Sequence, residues 1–152
     1  MSVLQQKETE ALVRDVLGNE FVPFKATQLT FEENFETERV KVRCDVMNGT
    51  SKVDISGEGV GLIDGLFSGL KSKLAQTYPS LATLIFVDFS VKADLATKQG
   101  KAGSDSKAVV ELVVENSDHR RFKFQHSSRS VTHSSVQVVV QACTYFVNSE
   151  LA

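Results

Sequence analysis

Three histidines, two cysteines and a run of closely spaced glycines are the residues of this 152-residue chain best suited to chemistry. His119, His126 and His133 recur every seven residues, a spacing that suits neither one helix face nor a standard metal site. No HExxH, HxH or cluster of His with carboxylates accompanies them. Spacing alone excludes no Ser/His/Asp triad, whose members meet only in the fold, but no GxSxG elbow is present. Cys44 and Cys143 fall on apolar faces of different expected elements without a CxxC pair, and read as reduced core thiols. The histidines therefore read as structural, and no catalytic residue, metal or cofactor is expected.

Gly57, Gly59 and Gly61 lie between an expected strand and an expected helix. The dinucleotide fingerprint G-x-G-x-x-G fails, because its last position is Leu62 and the surroundings are hairpin rather than βαβ. Two readings remain. A helix N-terminus there offers unpaired N–H groups to a small carboxylate, with glycines permitting close approach; alternatively the glycines only make a tight turn. Arg120-Arg121-Phe122-Lys123-Phe124 interleaves bases with aromatics as single-strand nucleic-acid binders do. Alternation nevertheless sends Phe122 and Phe124 to one face and Arg121 and Lys123 to the other, so the aromatics belong to a core.

Composition agrees: a net charge of −2 argues against a nucleic-acid binder, and 41% apolar with 24% charged residues excludes disordered and collagen-like classes. No run approaches the ~18 apolar residues of a membrane helix. The segment MSVLQQKETE has neither the basic nor the apolar region of a signal peptide, so no membrane partner and a cytoplasmic location are expected.

The elements that must position these residues follow from periodicity. Ser2-x-x-Gln5 is a capping-box pattern, and Leu4, Ala11, Leu12 and Val16 recur at helical spacing up to Gly18-Asn19. Residues 24–31 read as a strand. Val40, Val42, Cys44 and Val46 alternate with Arg39, Lys41, Arg43 and Asp45, the signature of a sheet exposed on one face. Asn48-Gly49 predicts a tight hairpin turn, with Val53 and Ile55 on the returning strand. Leu62, Ile63, Leu66, Phe67, Leu70 and Leu74 form a helical stripe ending before Pro79. A long strand follows, with Ile85, Val87, Phe89, Val91, Ala93 and Leu95 on one face; 96–106 read as a loop. Strands at 108–115 and 120–126 flank a turn at Asn116-Ser117-Asp118. The run Val138-Val139-Val140 favours strand by propensity, but Ser134-x-x-Gln137 and the stripe Val136, Val139, Val140, Cys143, Val147 favour a helix.

The order strand, hairpin, small-residue turn, helix occurs twice, with Gly57-Glu58-Gly59-Val60 corresponding to Ser128-Arg129-Ser130-Val131. The expected fold is α+β: an N-terminal helix over 1–20, then one domain over 21–152 built of two βββα units at about 24–78 and 83–150. Each unit lays a mostly antiparallel three-stranded sheet on its helix.

The glycine turn and the duplication resemble the C-terminal regulatory domain of 2-isopropylmalate synthase and citramalate synthase. The family's G-x-G-P/V turn is matched by Gly57-Glu58-Gly59-Val60, and its D-Y/F strand by Asp88-Phe89-Ser90-Val91-Lys92-Ala93. Its G-x-D-A-x-A segment is similar to Gly103-Ser104-Asp105-Ser106-Lys107-Ala108, and its closing aromatic-x-x-Asn to Tyr145-Phe146-Val147-Asn148. The second turn departs from the family, with Ser128-Arg129-Ser130 in place of a glycine-rich turn and Ser134 in place of an Asp.

What the resemblance implies is a stand-alone, non-catalytic regulatory homodimer that binds leucine, isoleucine or a similar carboxylate. Its expected site comprises Gly57, Glu58, Gly59, Val60, Leu62, Phe89, Ala93, Asp105 and Ser106. The helix N-terminus would hold the carboxylate, Glu58 or Asp105 the ammonium, and Val60, Leu62 and Phe89 the side chain. The alternatives are a dimerisation scaffold whose pocket has decayed, or a detached regulatory part of a synthase whose barrel, with its H-x-H metal pair, lies elsewhere.

Overall fold

In the computed structural model, residues 2–93 and 107–152 are described. Helix α1 (Val3–Leu17) opens with the expected capping box: Gln5 N donates to Ser2 Oγ at 3.1 Å, and Ser2 N donates to Gln5 Oε1 at 2.9 Å. Strands β1 (Phe24–Asn34), β2 (Arg39–Asn48) and β3 (Ser51–Gly59) form one antiparallel sheet in chain order, followed by helix α2 (Leu62–Leu74). A short helical turn at Pro79–Thr83 leads to β4 (Ile85–Ala93), β5 (Ala108–Glu115), β6 (Arg121–Ser128) and α3 (Val131–Leu151). The second sheet has the same order and the same antiparallel pairing. This is the expected duplicated α+β architecture with an N-terminal helix.

The core is built by the alternation that marks the strands. Val40, Val42, Cys44 and Val46 are all buried, as are their counterparts Val110, Leu112 and Val114. They pack with Ile63, Leu66, Phe67 and Leu70 of α2 and with Val136, Val139, Val140, Cys143 and Val147 of α3 in one continuous cluster. Helix wins over strand at Val138-Val139-Val140 because these side chains fill the interior all round the helix, and tertiary burial outweighs propensity. Phe122 and Phe124 are buried against Tyr145 and Phe146 while Arg121 and Lys123 face solvent, so no stacking platform for bases exists on β6.

Several expectations are corrected. In α1 the residues Leu4, Leu12 and Val16, by which the helix is recognised, lie exposed, and Gln6, Val13 and Leu17 turn inward. The hairpin between β2 and β3 centres on Gly49-Thr50, one residue later than expected, since Asn48 still pairs with Ser51. Gly49 alone of these takes a positive φ, +61°. Strand β4 does not keep one alternation throughout: a bulge between Phe86 and Asp88 makes Phe86, Phe89 and Val91 share the inward face, while Ile85 points out. The matching bulge in β1 lies between Ala26 and Gln28, so even the irregularity is duplicated. Helix α3 starts at Val131, its cap Ser130 lying four residues before the expected cap Ser134, and the Ser130 hydroxyl accepts from His133 N at 3.0 Å. The expected loop at 96–106 and Leu95 lie outside the described residues.

Pairing also corrects the internal correspondence. Val42 pairs with Gly57 and Val110 with His126; Cys44 pairs with Ile55 and Leu112 with Phe124. The helices then begin in step after Gly61 and Ser130. Gly57, Gly59 and Gly61 thus correspond to His126, Ser128 and Ser130, two residues away from the match made on small-residue composition.

Candidate functional site

The glycine turn is first a packing device. Gly57 and Gly59 sit on the inward face of β3, against α2. A Cβ on Gly57 would overlap the Gly65 carbonyl oxygen and lie 2.8 Å from Gly69 N; one on Gly59 would collide with the Asp64 carboxylate and lie 2.7 Å from Gly65 N. One on Gly69 would come within 2.8 Å of Ser56 O. Backbone therefore packs on backbone, and these glycines are required by the closeness of strand and helix.

The helix end behind the turn is already occupied by the chain itself. Val60 N donates to Asp64 Oδ2 at 2.9 Å, placing a carboxylate at the N-terminus of α2. A second carboxylate arriving there would meet this like charge, whereas an ammonium group would meet an attractive one. The resemblance implies Glu58 or Asp105 as ammonium acceptor and does not include Asp64. Its signal was present as an acidic residue in the first helical turn, four residues after Val60.

The nine expected residues separate into groups. Gly57 and Gly59 are packed as described. Glu58 points to the opposite, solvent face of the sheet, 4.0 Å from Lys41 Nζ. Val60 is exposed at the turn and Leu62 is half-buried at the start of α2. Phe89 lies on the inward face of β4 yet remains 37% exposed, and Ala93 ends that strand in solvent. Asp105 and Ser106 lie outside the described residues.

A hollow of about 470 Å³ does open between α2 and the start of β4, and none of the seven expected residues that are described lines it. Asp64, Ser68 and Lys71 present one polar ridge of α2 to it, since positions three to four apart share a helix face. Phe67, Ile85 and Phe86 supply apolar wall, the two rings meeting edge to face at 5.9 Å. Lys71 Nζ donates to Leu84 O at 2.9 Å, which holds the cation at the far end from Asp64. A space bounded by a carboxylate, an ammonium, a hydroxyl and aromatic wall suits a small zwitterion with an apolar side chain.

In the second unit the glycine contact is replaced by a polar one. Ser134, at the position of Gly65, is fully buried; its hydroxyl lies 2.9 Å from His126 Nδ1 and 2.6 Å from Ser128 Oγ. Ser128 Oγ also donates to Ser130 O at 2.8 Å. The network is internally satisfied and has the character of a structural strut. Burial, and then the charge of neighbouring His133, lower the pKa of His126 below its ordinary 6.5. No group of three or more His, Cys, Asp or Glu able to hold a metal occurs among the described residues.

Two βββα units, each an antiparallel sheet covered by a helix, make up this duplicated α+β class of domain. Over residues 3–147 the chain matches the family model described as the LeuA allosteric (dimerisation) domain, and it belongs to that family. No curated protein matches it. No helix among the described residues is long and apolar enough to cross a membrane.

Proposed function

We propose that the chain is a non-catalytic regulatory module that binds leucine, isoleucine or a close analogue and acts as a homodimer. The observation carrying this reading is the family match over residues 3–147, which is that of an allosteric dimerisation domain. The α2–β4 hollow supports the ligand class. In this reading Asp64 attracts the ammonium, Ser68 and Lys71 donate to the carboxylate, and Phe67, Ile85 and Phe86 receive the branched side chain. Phe89 and Ala93 continue the wall along β4, and Val60 and Leu62 stand at the head of α2. Asp105 and Ser106 enter on resemblance alone. The chain itself performs no condensation and works in the cytoplasm.

Thermal unfolding with leucine, isoleucine and valine tests the proposal. A ligand that binds only the folded state at a hundred times its Kd stabilises by about 2.7 kcal/mol. For a domain of this size that is a rise in Tm of roughly 5–10 °C. Asp64→Asn keeps the hydrogen bond to Val60 but loses the charge, and is expected to weaken the response. If no member of the panel moves the transition, the chain is a dimerisation scaffold without a working pocket.

A further inference from the structure

A second hollow, about 210 Å³ in volume, lies between β1 and α3. It is the counterpart of the α2–β4 hollow under the internal repeat, because the helices start in step after Gly61 and Ser130. The chemistry of the two differs at the decisive position. Where α2 carries Asp64, α3 carries His133; where α2 carries Ser68, α3 carries Gln137.

We propose that the β1–α3 hollow is a separate binding site for a small branched carboxylate that has no ammonium group. Its polar wall includes Thr132, His133 and Gln137, all able to donate, with Thr27, Gln28 and Ser130 beside them, and no acidic side chain lines it among the described residues. The Thr132 and Gln137 side chains have no hydrogen-bonding partner among the described residues. The Ser130 hydroxyl is spent on His133 N, so recognition falls to these side chains rather than to the helix end. His133 stands 5.4 Å, ring centre to ring centre, from His126, and keeps at least one N–H donor in either protonation state. Ala26, Leu29 and Val136 form the apolar wall for a short branched chain. Among the described residues an ammonium group finds no acceptor of opposite charge here, which is what separates this hollow from the first. The branched shape of the ligand rests on the function proposed above; the preference for an anion rests on this hollow alone.

The test follows the ring C–H resonances of the three histidines by NMR, with 3-methylbutanoate, leucine and 3-methylbutylamine as probes. The expected result is a saturable shift of His133 and His126 with 3-methylbutanoate, none at His119, and none with the amine. His133→Leu, an exposed position, and Gln137→Leu are expected to weaken binding, the first by roughly tenfold or more as a charge-assisted hydrogen bond is lost. Asp64→Asn is expected to leave it unchanged. The proposal is overturned if 3-methylbutanoate moves none of the histidines or moves all three alike. It is equally overturned if Asp64→Asn weakens binding while His133→Leu does not. Failure of leucine to stabilise the protein would count against the α2–β4 site and leave this result standing.

Discussion

Asn148 lies deep in α3, 1% exposed, and accepts from Val22 N at 2.7 Å while donating to Val22 O at 2.9 Å and Thr144 O at 2.8 Å. Its carboxamide serves as a one-residue β-bridge for the segment that enters β1. Asn148→Ala strands both Val22 groups, at about 1–3 kcal/mol each; we expect Tm to fall by roughly 5–10 °C in thermal unfolding. Titration belongs to this scale as well. Burial pushes the Cys143 thiol up to about 12, and burial with the Asp45 carboxylate pushes Cys44 up to about 11, from an ordinary 9.0. The folded state therefore holds protons that the unfolded chain releases. The thiols' contribution is complete below pH 9.0 and declines as pH rises from there toward 11–12. Native protein should resist thiol-alkylating reagents at neutral pH and become reactive only on unfolding. His126 has the opposite sense: its lowered pKa means that the unfolded chain takes up the proton first, so stability falls as pH drops below 6.5. His126→Gln should flatten that acid limb of a Tm-against-pH curve.

Helix α2 and strand β3 meet through glycine, and this pairing is the element-level feature most sensitive to substitution. Gly57→Val would drive a branched side chain into the backbone of Gly65 and Gly69. Overpacking of this kind costs about 1–3 kcal/mol, more where backbone cannot yield; chemical denaturation is expected to show a lowered midpoint with unchanged slope. Helices and strands were legible wherever one physical period dominates, as in Val40 to Val46 with its strict alternation. The bulges at Ala26/Gln28 and Phe86/Asp88 were not, since one inserted residue leaves no mark in composition yet turns Ile85 outward and Phe86 inward. α1 misled for another reason. It carries two apolar stripes, and the choice of Gln6, Val13 and Leu17 as the inward one follows from a partner far away: Gln6 Nε2 donates to Lys123 O at 2.8 Å and its Oε1 accepts from Lys123 N at 3.0 Å. Of the elements beside the α2–β4 hollow, the α2 turn and strand β4 are legible from glycine spacing and alternation, but the relation of Asp64 to Val60 N needs the helix start placed to the residue.

At the scale of the whole molecule, each unit leaves apolar surface beyond the reach of its helix. Phe31 pairs with buried Val42 and Val91 with buried Val110, yet they are 45% and 43% exposed. They prolong the core columns into solvent. The proposed homodimer predicts that a second copy packs on this surface. Phe31→Asp combined with Val91→Asp should convert the dimer to a monomer in light scattering while leaving the far-ultraviolet circular dichroism intact. A monomeric parent protein at micromolar concentration would refute the assignment.

The clasp between Val22 and Asn148 joins positions 126 apart in the chain. On a ribosome, which releases a polypeptide from its amino end, the first sheet and its helix emerge well before that partner exists. Early segments must then wait in a provisional state, their entry strand unfastened, until Asn148 has been made. Synthesis and final locking are thereby coupled, and a product cut short before Asn148 is left without its latch.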